Sequence, residues 1–495
     1  MSSALIIIFA FLALAIFLGV RARRGKDMDL EQWTVGGRGF GTIFVFLLMA
    51  GEIYTTFTFL GGSGWAYSEG GPALYILPYG TLAYVISYWL MPVVWQYAKE
   101  KRVVSQADFF VHKFDSKNLG VLVSLVAVVA MVPYLALQLK GLGLIVSIAS
   151  YGAIPSWAAV VIGLAAVITY VMISGVHGSA WTAVVKDIMV LAVAVFLGLY
   201  LPFALHGGFG SMFSEIQAAK GSDFLTLGGD YNTAWFISTI LLSALGFYMW
   251  PHTFGAALTS SSKDVFRRNA VLLPLYQLIL LFVFFVGFAA VLAVPGLQNG
   301  DLSLLRISTE NFSPAVVGLI GGAGLLTALV PGSLLLIQSA TLLIKNVYAA
   351  FATSTTDAQI GRYSKFVGVP LVGLAALYFT FAGGQSIVLL LLLGYSLVTQ
   401  VFPAMLLSLF PRPFVNKYGA VSGITVGVAI VTYMTASGAD LGTLLPWLPA
   451  GIHTIHEGIV GILANTIVLV LVSLLTRTLS ESAEASAEAE TIKPA

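Results

Sequence analysis

About thirteen stretches of roughly 20 mostly apolar residues run through this chain from end to end, each long enough to cross the hydrocarbon core of a bilayer. They begin near Ser3, Ile43, Pro72, Leu119, Pro155, Ala180, Asn232, Asn269, Ser313, Tyr363, Gln385, Tyr418 and His453. In lipid every backbone polar group must be satisfied inside the protein, so spans of this length are α-helices. Of the 495 residues, 58% are hydrophobic and 9% charged, which is too apolar for a soluble domain. The connections are short, so residues 1–479 read as one polytopic domain with no room for a soluble catalytic one. The chain has no cysteine, which excludes disulfides, thiol chemistry and cysteine metal sites. A net charge of +2 gives no sign of a nucleic-acid partner. The Ala-, Ser- and Glu-rich tail, 480–495, is expected to be a disordered acidic cytoplasmic segment.

Basic residues set the orientation. Of the 24 Lys and Arg, only Lys140, Lys186, Lys220 and Arg306 fall outside the loops of one side. The positive-inside rule places that side in the cytoplasm, with the N-terminus outside and the C-terminus inside. The first apolar stretch carries its basic residues after it and reads as an uncleaved first helix.

Four charged residues lie at bilayer depth: Glu52, Lys140, Lys186 and Asp187. Intramembrane ionisable groups are costly and mark ion or solute paths. Two spans also carry helix-breaking sequence. The second, Met49 to Tyr67, holds Gly51, Tyr54, Thr55, Thr56, Thr58, Gly61, Gly62 and Gly64, and the seventh, Leu242 to Gly255, holds Gly246, Pro251 and His252. Irregular backbone at this depth survives only inside protein or against a cavity. Paired interruptions in corresponding halves point to a transporter's central site. Their spacing fits two inverted five-helix repeats, about 43–205 and 232–409, with one helix before and two after.

Several short motifs accompany these breaks. Gly36-Gly37-Arg38, Ser105-Gln106-Ala107-Asp108-Phe109-Phe110, Trp181-Thr182, Gly207-Gly208-Phe209-Gly210, Trp250-Pro251-His252, Arg267-Arg268 and Lys345-Asn346-Val347-Tyr348 occur in this order. Together they resemble the sodium:solute symporter family over about residues 30 to 420, and most resemble its bacterial branch for monocarboxylates such as pyruvate and lactate. The resemblance implies an all-α, thirteen-helix, leucine-transporter-like fold in a bacterial inner membrane. It also implies cation-coupled uptake of a small solute by alternating access, without a cofactor. It places the solute against Phe57 and Gly61 from the first broken helix and Ser243, Phe247 and Pro251 from the second, with Gln138 nearby. Tyr54, Thr55, Thr56 and Gln138 offer hydrogen bonds to a carboxylate solute of the pyruvate, lactate, acetate or propionate type. Lys140 offers charge, although its depth near the outer face also suits snorkelling.

The cation site departs from the family pattern. The resemblance puts sodium on carbonyls such as those of Gly51 and Tyr54 and on hydroxyls of the ninth span. Those hydroxyl positions fall on Val330 and Pro331, with Thr327 one turn earlier and Ser333 available after a two-residue slip, while a nearby family Asp has become Ala183. Titratable groups stand close by: Glu52, Lys186 and Asp187. A Lys186 ammonium in the vacated sodium position, paired with Glu52, would make the driving ion a proton. A static ion pair and a surviving sodium site at Gly51, Tyr54 and Thr327 stay open as alternatives. So do sodium-coupled uptake of another solute such as an amino acid or urea, a channel or receptor on the same fold, and a small membrane accessory subunit. An enzyme would need a nucleophile with a positioned base, or a metal cluster, and the sequence offers neither.

Overall fold

The computed structural model describes residues 3–477 except 353, 383, 385, 412 and 413. The tail expected to be disordered, 480–495, lies outside the described residues. The described residues form helices, and their only β-type pairing is an isolated bridge between Phe40 and Ser260. Among the described residues, ten helices are long and apolar enough to cross a membrane, or up to twelve if each of two bent pairs is one span. Ser156–His206 has 51 residues, about 76 Å at 1.5 Å per residue and more than twice the thickness of a hydrocarbon core. Gly175, at φ 53° and ψ −153°, breaks it. Divided there, it is long enough for two spans, the fifth and sixth in chain order.

Both suspect spans are interrupted. Thr42–Ile53 ends at Tyr54 (φ −79°, ψ 70°), and the chain resumes through a π-helical turn, Phe57–Gly62, into Ser63–Ser68 at a 45° bend. Thr233–Gly246 passes through a 3-10 turn, Phe247–Met249, and extended Trp250, before Pro251–Leu258 starts afresh. Proline suits that start, since its missing N–H would be unpaired in a first turn anyway.

The Pro314–Thr341 helix runs through the interior and packs against Lys117–Ala149 and Ser156–His206. Ser3–Arg23 lies on the outside of this group, and Lys417–Ser437 and Glu457–Leu475 pack chiefly on each other. Large apolar side chains such as Trp89, Trp157, Ile188, Phe366 and Tyr378 face outward, as a lipid-covered surface requires. On the basic-loop side, Phe40 ahead of the first broken span pairs with the strand-like turn after the second, through Phe40 N to Thr259 O at 3.0 Å and Ser261 N to Phe40 O at 2.9 Å.

Candidate functional site at the two helix breaks

A helix that stops inside the membrane leaves its last carbonyls without partners. Here side chains supply the missing donors. Tyr84 donates to Met49 O at 2.9 Å, Tyr134 to Glu52 O at 3.2 Å, Thr58 to Ile53 O at 2.8 Å, and Lys186 Nζ to Tyr54 O at 3.3 Å. The Thr55 hydroxyl accepts from Phe57 N at 3.1 Å, so it stabilises the turn. The Tyr54 phenol turns away from the centre and donates to Tyr276 O at 2.7 Å. Of Tyr54, the carbonyl alone is turned toward Lys186.

Lys186 is fully buried, with Asp187 Oδ1 2.8 Å from its ammonium. Gly51 makes the room: a Cβ there would stand 2.9 Å from Lys186 Nζ. The expected pairing of Glu52 with Lys186 does not occur. Glu52 lies one residue beyond Gly51, about 100° further round the helix, and its Oε2 meets His252 Nε2 at 2.7 Å. Thr253, beside His252, donates to the same oxygen at 3.4 Å. One buried pair thus joins the two interrupted helices, and the other joins the first break to the sixth span. Thr327 donates to Gly324 O at 2.6 Å. Ser333 and Ser179 bring their hydroxyl oxygens to 2.6 Å across two helices, and Val330 and Pro331 are buried without side-chain oxygen.

Phe57, Gly61, Gln138, Ser243, Phe247 and Pro251 are all buried. Thr56 N donates to Gln138 Oε1 at 3.4 Å, which brings the first break against the fourth span. Thr56 Oγ1, Gln138 Nε2 and Ser243 Oγ have no hydrogen-bond partner among the described residues. Buried polar atoms are rarely left so, since each costs about 1–3 kcal/mol. Unused polar atoms at three of the expected solute contacts call for a partner, which a water, an ion or a polar solute would supply. Phe247 packs edge-on against Tyr84. Gly61 faces Ile387, with which a Cβ would collide at 2.8 Å. Lys140 is drawn elsewhere: its ammonium lies 2.8 Å from Asp301 Oδ2, which also accepts from Ile387 N at 3.2 Å.

The sequence profile described as the Sodium:solute symporter family matches residues 33–427. The chain belongs to the sodium:solute symporter family. The Bacillus subtilis protein "Uncharacterized symporter YhjB" is 60% identical over 480 residues, covering 96% of this chain and 98% of its own. The "Monocarboxylate transport permease protein" of Rhizobium johnstonii is 29% identical, covering 96% and 97%. Among solved structures, a substrate-bound, outward-open Na+-coupled sialic acid symporter superposes with a TM-score of 0.77 at 16% identity, covering 96% of this chain and 98% of its own. The fold is thus the leucine-transporter-like one, and this symporter is a multi-pass membrane transporter, not an enzyme.

The family motifs of the symporter converge on the basic-loop side. Gln106 Nε2 donates to Met249 O, a carbonyl freed at the second break, at 2.6 Å. Ser105 and Asp108 form a reciprocal cap on Gln106–Phe114. Asp108 also takes Lys345 Nζ at 2.5 Å and Asn346 Nδ2 at 2.8 Å, while Ser105 donates to Asn346 Oδ1 at 2.8 Å. Burial pushes the Asp108 carboxyl up, but Lys345 and the hydrogen bonds from Asn346 and Val104 N outweigh that and hold it below 3.8. A carboxylate lowered on folding contributes stability above its unfolded value and loses it as pH falls through the folded one. Asp108→Asn is therefore expected to destabilise the protein by roughly 1.5–3 kcal/mol at neutral pH, the range for a hydrogen bond to a charged group. Thermal unfolding in detergent should show the gap between variant and wild type narrowing only below pH 3.8.

Proposed function

We propose that this symporter imports a short monocarboxylate together with a proton. The observation that carries the reading is the Lys186 ammonium, 3.3 Å from Tyr54 O with Asp187 at 2.8 Å. A fixed cation stands where the family resemblance puts the metal, and an internal counter-ion neutralises it. Sodium needs several hard oxygens, and an ammonium on one of the expected carbonyls competes for them. Co-transport of a carboxylate and a proton moves no net charge, so the pH difference drives it directly. The name of the Rhizobium relative supports the solute class, as do the buried unused donors at Thr56, Gln138 and Ser243. With the basic-loop side as cytoplasm, uptake runs inward.

A sodium-driven reading has the family's own coupling ion behind it and one structural observation, the Ser179–Ser333 hydroxyl pair between the Ser156–His206 and Pro314–Thr341 helices. It gives two hard oxygens where Val330 and Pro331 give none. Purified protein in proteoliposomes separates the two. Labelled pyruvate or lactate should accumulate under an inward proton gradient with sodium replaced by choline, and acetate and propionate should compete. Uptake that requires a sodium gradient and ignores pH would overturn the proton assignment. Indifference to all four acids would overturn the solute class.

A further inference from the structure

We infer that a groove on the lipid-facing wall of this symporter binds one anionic glycerophospholipid, drawn from the leaflet on the basic-loop side. Two cavities lie between the Lys117–Ala149 and Lys417–Ser437 helices. The first, of about 590 Å³, sits where both helices begin, and its lining includes Asp115, Lys117, Asn118, Lys417, Tyr418 and Ser422. The second, of about 400 Å³, is apolar. Leu125, Val129, Val428 and Thr432 line it, with Leu393 and Leu397 from the Ile387–Val398 helix. The step from one cavity to the other is the same on both helices. Asn118 to Leu125 and Val421 to Val428 are each seven residues. Seven residues are nearly two full turns, so the lining residues share a face, about 10 Å apart along the axis. A polar mouth that leads into an apolar trough matches a headgroup followed by an acyl chain.

The groove exists because Lys417–Ser437 turns its small residues elsewhere. Gly419 and Gly423 lie against Glu457–Leu475, where a Cβ would stand 2.0 Å from Ser473 Oγ and 2.5 Å from Asn465 Oδ1. The opposite face, with Val421, Val428 and Thr432, is left toward Lys117–Ala149 without so close an approach. Charge then selects the occupant. Lys117 is exposed and Lys417 half-buried, and neither forms an ion pair among the described residues. Asp115 lines the same mouth and pairs with neither. Two lysines and one aspartate leave the mouth one net positive charge, which a single phosphodiester balances. Basic pockets between membrane helices on the cytoplasmic side hold anionic headgroups in this way. Phosphatidylglycerol brings that charge with no cation of its own, and its hydroxyls suit Asn118, Tyr418 and Ser422. A chain in the trough lies against Ile387–Val398, whose Tyr395 meets Trp250 at the second break with ring centroids 5.2 Å apart. The bound lipid thus braces the helix behind that break, whichever ion drives uptake.

Detergent-purified protein titrated with dioleoyl phosphatidylglycerol tests this, read by the thermal unfolding midpoint and by the lipid retained in native mass spectrometry. Wild type should retain a single lipid and gain stability in a titration that saturates. Phosphatidylethanolamine with the same chains should need about fivefold more or worse, the factor that one charge sets at such a surface. Glycerophosphoglycerol, the headgroup without its chains, should give no shift. Lys117→Gln with Lys417→Gln should raise the half-saturating concentration roughly tenfold or more. Val428→Trp fills the trough, leaves both lysines in place and should lower retention as well. Lys99→Gln with Lys101→Gln removes the same charge from the same side, away from the groove, and should bind like wild type. No retained lipid, equal titration by the two phospholipids, or a Lys117 and Lys417 variant that binds like wild type overturns the site. Equal weakening in the Lys99 and Lys101 control also overturns it, since the binding would then be diffuse surface attraction. A full shift with glycerophosphoglycerol, or full retention in Val428→Trp, overturns the lipid as occupant.

Discussion

Replacing Lys186 with methionine is expected to stop uptake and to lower the thermal unfolding midpoint more than any other single change discussed for this protein. The side chain is fully buried, and its ammonium pairs ionically with Asp187 Oδ1 at 2.8 Å and donates to Tyr54 O at 3.3 Å. Removing one partner of a buried ion pair strands the other charge and costs roughly 3–5 kcal/mol. Removing both partners is far milder, because no charge is left behind. Lys186→Met with Asp187→Asn should therefore recover most of the lost midpoint. It should not recover transport, since the Tyr54 carbonyl still lacks its donor at the first break. The two readouts together separate a role in the site from a role in folding. A Lys186→Met protein that unfolds and transports like wild type would show the pair to be idle.

The breaks were legible because the sequence contradicts itself there. Gly51, Gly61, Gly62, Pro251 and the threonines at 55, 56 and 58 sit inside stretches otherwise apolar enough to span. No lipid-facing helix tolerates that, so an interruption lined by protein was the consistent solution. The rotation of each half-helix about its own axis was not legible. Gly51 and Glu52 are adjacent in sequence, yet one faces Lys186 and the other His252, and nothing local to either residue announces which. A sharper signal was available in His252 itself, which follows Pro251 directly and so points from the first turn of a half-helix, close to the gap. Lys140 shows a different limit. Its helix could be placed by depth, but its partner Asp301 comes from an extramembrane turn 161 positions away, and only the tertiary fold brings them together. The motif residues Ser105, Asp108, Lys345 and Asn346 were recognisable as a set. That they close on one another, and that Gln106 caps the second break, needed the packed structure.

Gly64→Val is expected to abolish transport by holding open the face opposite the basic loops. Gly64 lies in Ser63–Ser68, beyond the first break, and backs onto the Gly300–Leu302 turn. A Cβ at this position would fall 2.8 Å from both Asp301 N and Gly300 C and 2.9 Å from Asp301 Cα. These are backbone atoms, which cannot swing aside as a side-chain tip can. The turn is also tethered, through Asp301 Oδ2, to Lys140 at 2.8 Å and Ile387 N at 3.2 Å. Between them lies a cavity of about 120 Å³, lined in part by Gly61, Gly64, Trp65 and Asn299. Valine would push the half-helix and the turn apart and bias the protein toward states in which this face is open. Overpacking of this kind costs about 1–3 kcal/mol, enough to shift an open–closed equilibrium by roughly 5- to 150-fold. The absence of native cysteine makes the shift measurable. Asn299→Cys would be the sole thiol, and its maleimide labelling should quicken in the Gly64→Val background while uptake falls at least tenfold, the factor that about 1.4 kcal/mol sets. Gly62→Ala supplies the control two residues away, because its Cβ would meet Phe284 at 3.4 Å and Ile76 at 3.9 Å, both ordinary contacts with side-chain atoms. That variant should transport and label like the parent. If Gly64→Val did the same, closure against the Asp301 turn would not be part of the transport cycle.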